Sequence, residues 1–170
     1  MDYRCTNEDH DHNLAHGLEC VERGNAVLAA KVAKSASEAK TPTRAYSGDA
    51  GFDLYFCGDR PFLVRPNEVV TVPSRVAIQL PEGMWGLVIG RSSSFARGLI
   101  INPTVIDGGF RGDLFAYARN INRDWVTIEP NDRLAQFIPM PLLADGMEMV
   151  EVDALDTSDR GTAGFGSSGR

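Results

Sequence analysis

The chain has 170 residues, enough for one domain with a worthwhile core and too few for two. Hydrophobic residues make up 43% and charged residues 24%, a balance that excludes a disordered or fibrous chain. The formal net charge of -6 excludes a general electrostatic hold on nucleic acid, so a small anionic ligand must meet local positive charge: a few arginines, backbone N–H groups or a metal ion.

Residues 1–24 form a polar, acidic extension (Asp2, Glu8, Asp9, Asp11), the reverse of a signal peptide's basic and then apolar order. All three histidines and two of the three cysteines fall here, as Cys5, His10, His12, His16 and Cys20. These are zinc-ligand types, although their spacing matches no finger pattern and a plain polar arm is the blander reading. Three cysteines cannot pair off completely, which predicts free thiols in a reducing cytoplasm, or a host's cytoplasm for a viral chain. No apolar run approaches the roughly 20 residues of a membrane-spanning helix.

A β domain is predicted over residues 25–155. Short apolar runs lie at 26–33, 51–57, 84–89, 99–101, 114–121, 125–128, 134–140 and 147–152, punctuated by Gly, Pro, Asn and Asp. From Val70 to Leu80 alternate residues are apolar or small, the period of one half-buried strand bent at Pro73. Pro81-Glu82-Gly83 reads as a tight turn into the 84–89 strand. Many short strands without a long 3.6-residue period predict an all-β sandwich or barrel, with one core helix of a turn or two near Ser93 to Arg97. Residues 156–170 are Gly, Ser and Thr with few anchors.

Several segments carry chemistry. Ala50-Gly51-Phe52-Asp53-Leu54 puts a carboxylate in an apolar strand, where such a residue is usually structural. Gly90-Arg91-Ser92-Ser93 ends a strand with a guanidinium, hydroxyls and N–H groups that suit an anion, or with an ordinary serine cap. Asn102 to Gly112 reads as a hairpin whose Asp107-Gly108-Gly109 lets a ligand approach the backbone, with Phe110 able to stack on a flat ring or sugar. Asp132-Arg133-Leu134-Ala135-Gln136 carries a charged turn into a strand bearing one amide. The tail Arg160-Gly161-Thr162-Ala163-Gly164-Phe165-Gly166-Ser167-Ser168-Gly169 contains a G-x-G-x-x-G. The helix that a dinucleotide site needs after it has no room in the one residue that follows. What remains is a set of donors for phosphates with one aromatic, in a composition that a bare Gly/Ser tail shares.

In order and spacing these five segments resemble the motifs of the homotrimeric dUTPases, over about residues 25–170. The resemblance implies a distorted jelly-roll or β-barrel-like fold, and hydrolysis of dUTP to dUMP and pyrophosphate. It implies that Asp107 activates the attacking water, and that Asp53 holds Mg2+ through water. Arg91, Ser92, Ser93 and Gln136 would meet the phosphates. The backbone from Val105 through Ile106 and Gly109 to Phe110 would read uracil, together with Asn102, and Phe110 would pack under the deoxyribose. Arg160 would meet the γ-phosphate and Phe165 would cover the base, with Gly166, Ser167 and Ser168 adding donors in a lid that orders on ligand. The partners implied are dUTP and two further copies of the chain, with sites at the subunit interfaces and neither nucleic acid nor membrane. Two departures stand out: Phe110 replaces the usual tyrosine, and Asn102 lies five rather than six residues before the aspartate.

Arg91-Ser92-Ser93 with Ala96-Arg97 also resembles dCTP deaminases of the same superfamily, but residues 113–122 lack their glutamate and Tyr117 stands in its place. A β scaffold that binds a regulatory protein partner is the remaining alternative.

Overall fold

The computed structural model describes residues 28–144, 146–158 and 161–162. The 1–24 extension with its Cys/His cluster, and Arg160, Phe165, Gly166, Ser167 and Ser168, lie outside the described residues. The elements are β1 (Lys31–Lys34), β2 (Phe52–Tyr55), β3 (Phe62–Val64), β4 (Val69–Pro73), β5 (Val76–Gln79), β6 (Met84–Gly90), α1 (Ser92–Ala96), β7 (Leu99–Asn102), β8 (Thr104–Ile106), β9 (Phe115–Asn120), β10 (Val126–Ile128) and β11 (Arg133–Pro141). The expected all-β class, with one short helix after the 84–89 run, is what forms.

Among the described residues, four antiparallel sheets share one core. The largest has the order β2-β11-β6-β8, the next β4-β9-β7, and the pairs β1-β5 and β3-β10 complete the set. Each contributes fully or almost fully buried side chains to a single cluster: Val88 and Leu134 from the first, Leu99 and Ala118 from the second, Val76 from the third, Val64 and Ile128 from the fourth. The arrangement is jelly-roll-like, and among the described residues every sheet stays open, with an edge strand on each side.

Three expectations need correction. The Val70–Leu80 strand is two strands in different sheets, because Arg75 adopts φ 56°, a left-handed conformation that no strand can contain. The side-chain parity survives the break: Val72, Ser74, Val76, Ile78 and Leu80 are all buried. The strand expected at 26–33 forms as Lys31–Lys34, with residues 28–30 irregular and all four strand residues exposed. The apolar run 147–152 is not a strand; Met149 is 93% and Val150 73% exposed. Its side chains find no cover within the described part of their own chain. The short β3, too brief to show a period, is not among the strands that the sequence predicts.

Between β9 and β3 the fold is tied by one polar side chain. Asn120 is fully buried; its Nδ2 donates to the Val64 and Asp124 carbonyls at 2.9 and 2.8 Å. Its Oδ1 accepts from the Asn122 amide at 2.9 Å. Removing the amide leaves the buried Val64 carbonyl without its donor, at about 1–3 kcal/mol, while water can reach the Asp124 carbonyl and the Asn122 amide of two exposed residues. Asn120→Ala is therefore expected to lose about 1–3 kcal/mol, read as a lower thermal or urea midpoint.

Candidate active site

An inner strand of the largest sheet, β11, sets the first half of the site. Its register places Gln136 opposite Asp53 of β2 and opposite Ile89 of β6. Residues directly across a ladder share a face, so three separate motifs arrive side by side. Gln136 lies flat over Gly51: a Cβ there would stand 2.6 Å from the glutamine Oε1, so only glycine permits the approach.

Asp53 is buried and held on both oxygens. Arg91 Nε meets Oδ1 at 2.8 Å and Arg133 Nη1 meets Oδ2 at 3.2 Å. Two guanidiniums on one carboxylate offset its desolvation and leave surplus positive charge facing outward. Arg91 also donates to the Arg133 carbonyl at 3.2 Å. Beside this clasp opens a cleft of about 260 Å³, lined by Arg44, Asp49, Gly51, Arg91, Ser92 and Gln136.

The serines after Arg91 do not act as a plain cap. Arg91 itself is the N-cap, and no side chain caps α1. Ser94 is buried with its hydroxyl donating to the Leu134 carbonyl at 2.6 Å, which pins the helix to β11. Ser92 and Ser93 are exposed, and among the described residues no partner takes their hydroxyls or backbone N–H groups. An anion in the cleft would find those donors ready.

The third motif lies elsewhere. The strands flanking it, β7 and β9, do pair, with Asn102 opposite Tyr117, as a hairpin reading expects. The connection is no simple loop, however: past Pro103 the chain crosses to the other sheet and forms β8 along β6, Ile106 opposite Gly86. β8 is an edge strand, so backbone groups on its outer side have no strand partner among the described residues. Val105 points out, 61% exposed, while the Ile106 side chain is buried and can offer only its backbone. Asp107 is exposed at the end of β8. Its carbonyl accepts from the Phe110 amide at 2.9 Å, closing the turn that contains Gly108 and Gly109. Phe110 is 40% exposed. Asn102 donates to its own neighbour, the Pro103 carbonyl, at 3.0 Å, and sits in the other sheet from β8, the strand that leads to Asp107.

Two groups therefore stand at opposite ends of β6. Asp107 is level with Trp85, and Arg91 follows Gly90, a separation of roughly 20 Å at about 3.3 Å per residue. Gly108 anchors the far end, since a Cβ there would lie 2.4 Å from the Met84 carbonyl oxygen. Within one chain Asp107 does not meet Arg91, Ser92, Asp53 or Gln136.

Sequence reasoning missed Arg44, Asp49 and the clasp role of Arg133. Arg44 rests on the Phe52 ring at 4.9 Å and donates to the Ser47 carbonyl at 3.0 Å. It lies in an aperiodic loop, where only the register of β2 brings it to the cleft. Arg133 is visible inside the fourth motif, but its partner is not. Burial pushes the Cys57 thiol up, so this free cysteine is no candidate nucleophile.

Among known proteins, the family model described as dUTPase matches residues 37–169. The deoxyuridine 5'-triphosphate nucleotidohydrolase of Leifsonia xyli subsp. xyli is 42% identical over 134 residues, covering 76% of this chain and 86% of that protein. Its counterpart in Azoarcus sp. is 38% identical over 133 residues, covering 76% and 88%. The solved structure of the Staphylococcus bacteriophage 80alpha dUTPase with dUPNHPP superposes with a TM-score of 0.75 at 26% identity, covering 84% of this chain and 99% of that one. The same motifs, the same fold and a match across most of the length agree: the chain belongs to the dUTPase family.

Proposed function

We propose that this protein hydrolyses dUTP to dUMP and pyrophosphate in an active site assembled from neighbouring copies of the chain. The separation of Asp107 from the arginine-serine cleft along β6 is the observation that carries the reading. A general base must stand within hydrogen-bond reach of the water it activates, about 2.6–3.2 Å, and that water must lie in line with the α-phosphorus. A gap of roughly 20 Å is bridged only if Asp107 of one copy faces the cleft of another. A closed homotrimer supplies three such pairings. The uncovered apolar side chains of 147–152, and of Leu155 at 88% exposure, support burial against a partner copy.

In this reading the outer edge of β8 hydrogen-bonds the uracil, and Phe110 packs against the deoxyribose. Arg91, the exposed Ser92 and Ser93, and Gln136 hold the phosphates. Asp107 takes a proton from the water as its oxygen attacks phosphorus, and pyrophosphate leaves on the opposite side. Arg160 and Phe165, with Gly166, Ser167 and Ser168, would close over phosphate and base.

Asp53 fits a metal only at a distance. Both its oxygens are engaged by arginines, and no group of three acidic, His or Cys side chains gathers among the described residues to hold an ion directly. That would suit Mg2+ bound mainly by the triphosphate: Asp53 would hold it only through water, and the ion would supply neutralisation of phosphate charge. A deaminase reading fares worse. Tyr117, where that chemistry needs a glutamate, is 39% exposed and stacked edge-on against Phe115.

With Mg2+ the protein is expected to release pyrophosphate from dUTP; ammonia from dCTP would mark a deaminase instead. Freshly purified Asp107→Asn should lose about 10²- to 10⁴-fold in turnover, yet keep its melting point and its binding of dUpNHpp. Near-normal turnover would remove Asp107 from the base role. Truncation after Asp159 should cost activity far more than melting temperature, and an equal loss of both would make the tail structural.

A further inference from the structure

The residue assigned as the base is followed by the smallest possible neighbour. We propose that Asp107-Gly108 is a self-modifying site. The backbone nitrogen of Gly108 can close onto the Asp107 side chain as a succinimide, so the enzyme ages at this position, and an asparagine placed there reverts in part to aspartate. The chemical site stands on the loop alone; its effect on activity rests on the proposed role of Asp107.

Ring closure needs a reachable carbonyl carbon, an unhindered amide and freedom to bring them together. In the single chain Asp107 is exposed, and no ion pair among the described residues holds its carboxylate. The Gly108 nitrogen donates no hydrogen bond among those residues, and no side chain on Gly108 shields it. Gly109, next along, has open space around it, so one side of the turn is unobstructed. The neighbouring bonds are made by other atoms of the turn: the Asp107 and Gly108 carbonyls accept from Phe110 N and Arg111 Nη1.

The steps balance without any oxidant or cofactor. The Gly108 nitrogen gives its proton to solvent and bonds to the side-chain Cγ of residue 107. Water leaves if that residue is Asp, and ammonia if it is Asn. Water then opens the ring in one of two ways. Breaking the Cγ–N bond leaves an ordinary aspartate. Breaking the bond from nitrogen to the main-chain carbonyl carbon leaves isoaspartate, in which the backbone runs through Cβ and gains one carbon. That extra atom must shift Gly108, which already lies against the Met84 carbonyl. The carboxylate is also one bond closer to Cα, so the base leaves its position.

The test follows full-length Asp107→Asn and Asp107→Ala side by side as they are warmed at mildly alkaline pH. Both lack the base, but only the amide can form the ring. Peptide mass spectrometry of residues 98–111 should record conversion of the introduced asparagine to aspartate and isoaspartate. The pyrophosphate assay should record a rise in Asp107→Asn of at least about tenfold over the fresh sample, since fresh protein starts about 10²- to 10⁴-fold down. Asp107→Ala should stay flat. In the wild-type protein, isoaspartate at 107 should accumulate in step with lost activity, and protein isoaspartyl methyltransferase should restore part of it. A 98–111 peptide of Asp107→Asn that keeps its amide after prolonged warming would overturn the proposal. Conversion to aspartate with no recovery of activity would leave the chemical site standing and sink the base assignment instead.

Discussion

Antiparallel pairing along β6 governs the rest of this molecule. On one side β6 pairs with β11, which brings Gln136 and Asp53 level with Ile89 and delivers Arg91 just past the strand's end. On the other side it pairs with β8, whose register places Asp107 beyond Gly86, near the strand's start. Hydrogen bonds of a ladder cannot slip by one residue without turning every buried side chain outward, so the separation is as rigid as the core. In the proposed reading these are two half-sites on one chain, which association of copies would join.

The Arg91 cleft would supply the local positive charge that an anionic ligand needs in a chain of net charge -6. Arg91 and Arg133 converge on one buried carboxylate, and their positive charge exceeds what Asp53 neutralises. Each guanidinium is oriented by a bond of 2.8 to 3.2 Å, so little side-chain entropy would remain to be lost on binding the proposed phosphate. Ser94 anchors the adjoining helix, while Ser92 and Ser93 have no internal partners among the described residues. Positive charge is therefore local and held in place by the contacts of Arg91 and Arg133 to Asp53.

Much of this is legible in the residues, for reasons that also mark the limits. Alternation from Val70 to Leu80 correctly gives the buried parity, because parity depends on the local pleat. It does not reveal the break at Arg75, because a single left-handed residue leaves no compositional trace when it is not glycine. The run 147–152 has the composition of a strand but no strand partner among the described residues, and pairing is what makes a strand. The order of the five motifs points to the family, and the proposed site residues lie within them. Their grouping is invisible in sequence: Asp53 with Arg133 depends on the β2–β11 register, and Asn102 is parted from Asp107 by a change of sheet at Pro103. Arg44 and Asp49, in a loop without period, are located only by neighbouring strands. Arg160 and Phe165 fall outside the described residues, and their roles rest on the resemblance alone.

Whether catalysis joins the Asp107 end of one copy to the Arg91 cleft of another is tested most directly by complementation between two inactive variants. Asp107→Ala and Arg91→Gln, each nearly inactive alone, would be co-expressed with different tags in equal amounts, and the mixed trimers isolated. Random assembly makes three-quarters of trimers mixed, each with one intact site in three. A shared site therefore predicts about a quarter of wild-type activity in the unfractionated mixture and about a third in purified mixed trimers. Mixed trimers no more active than either parent would contradict it and require both groups to meet within one chain.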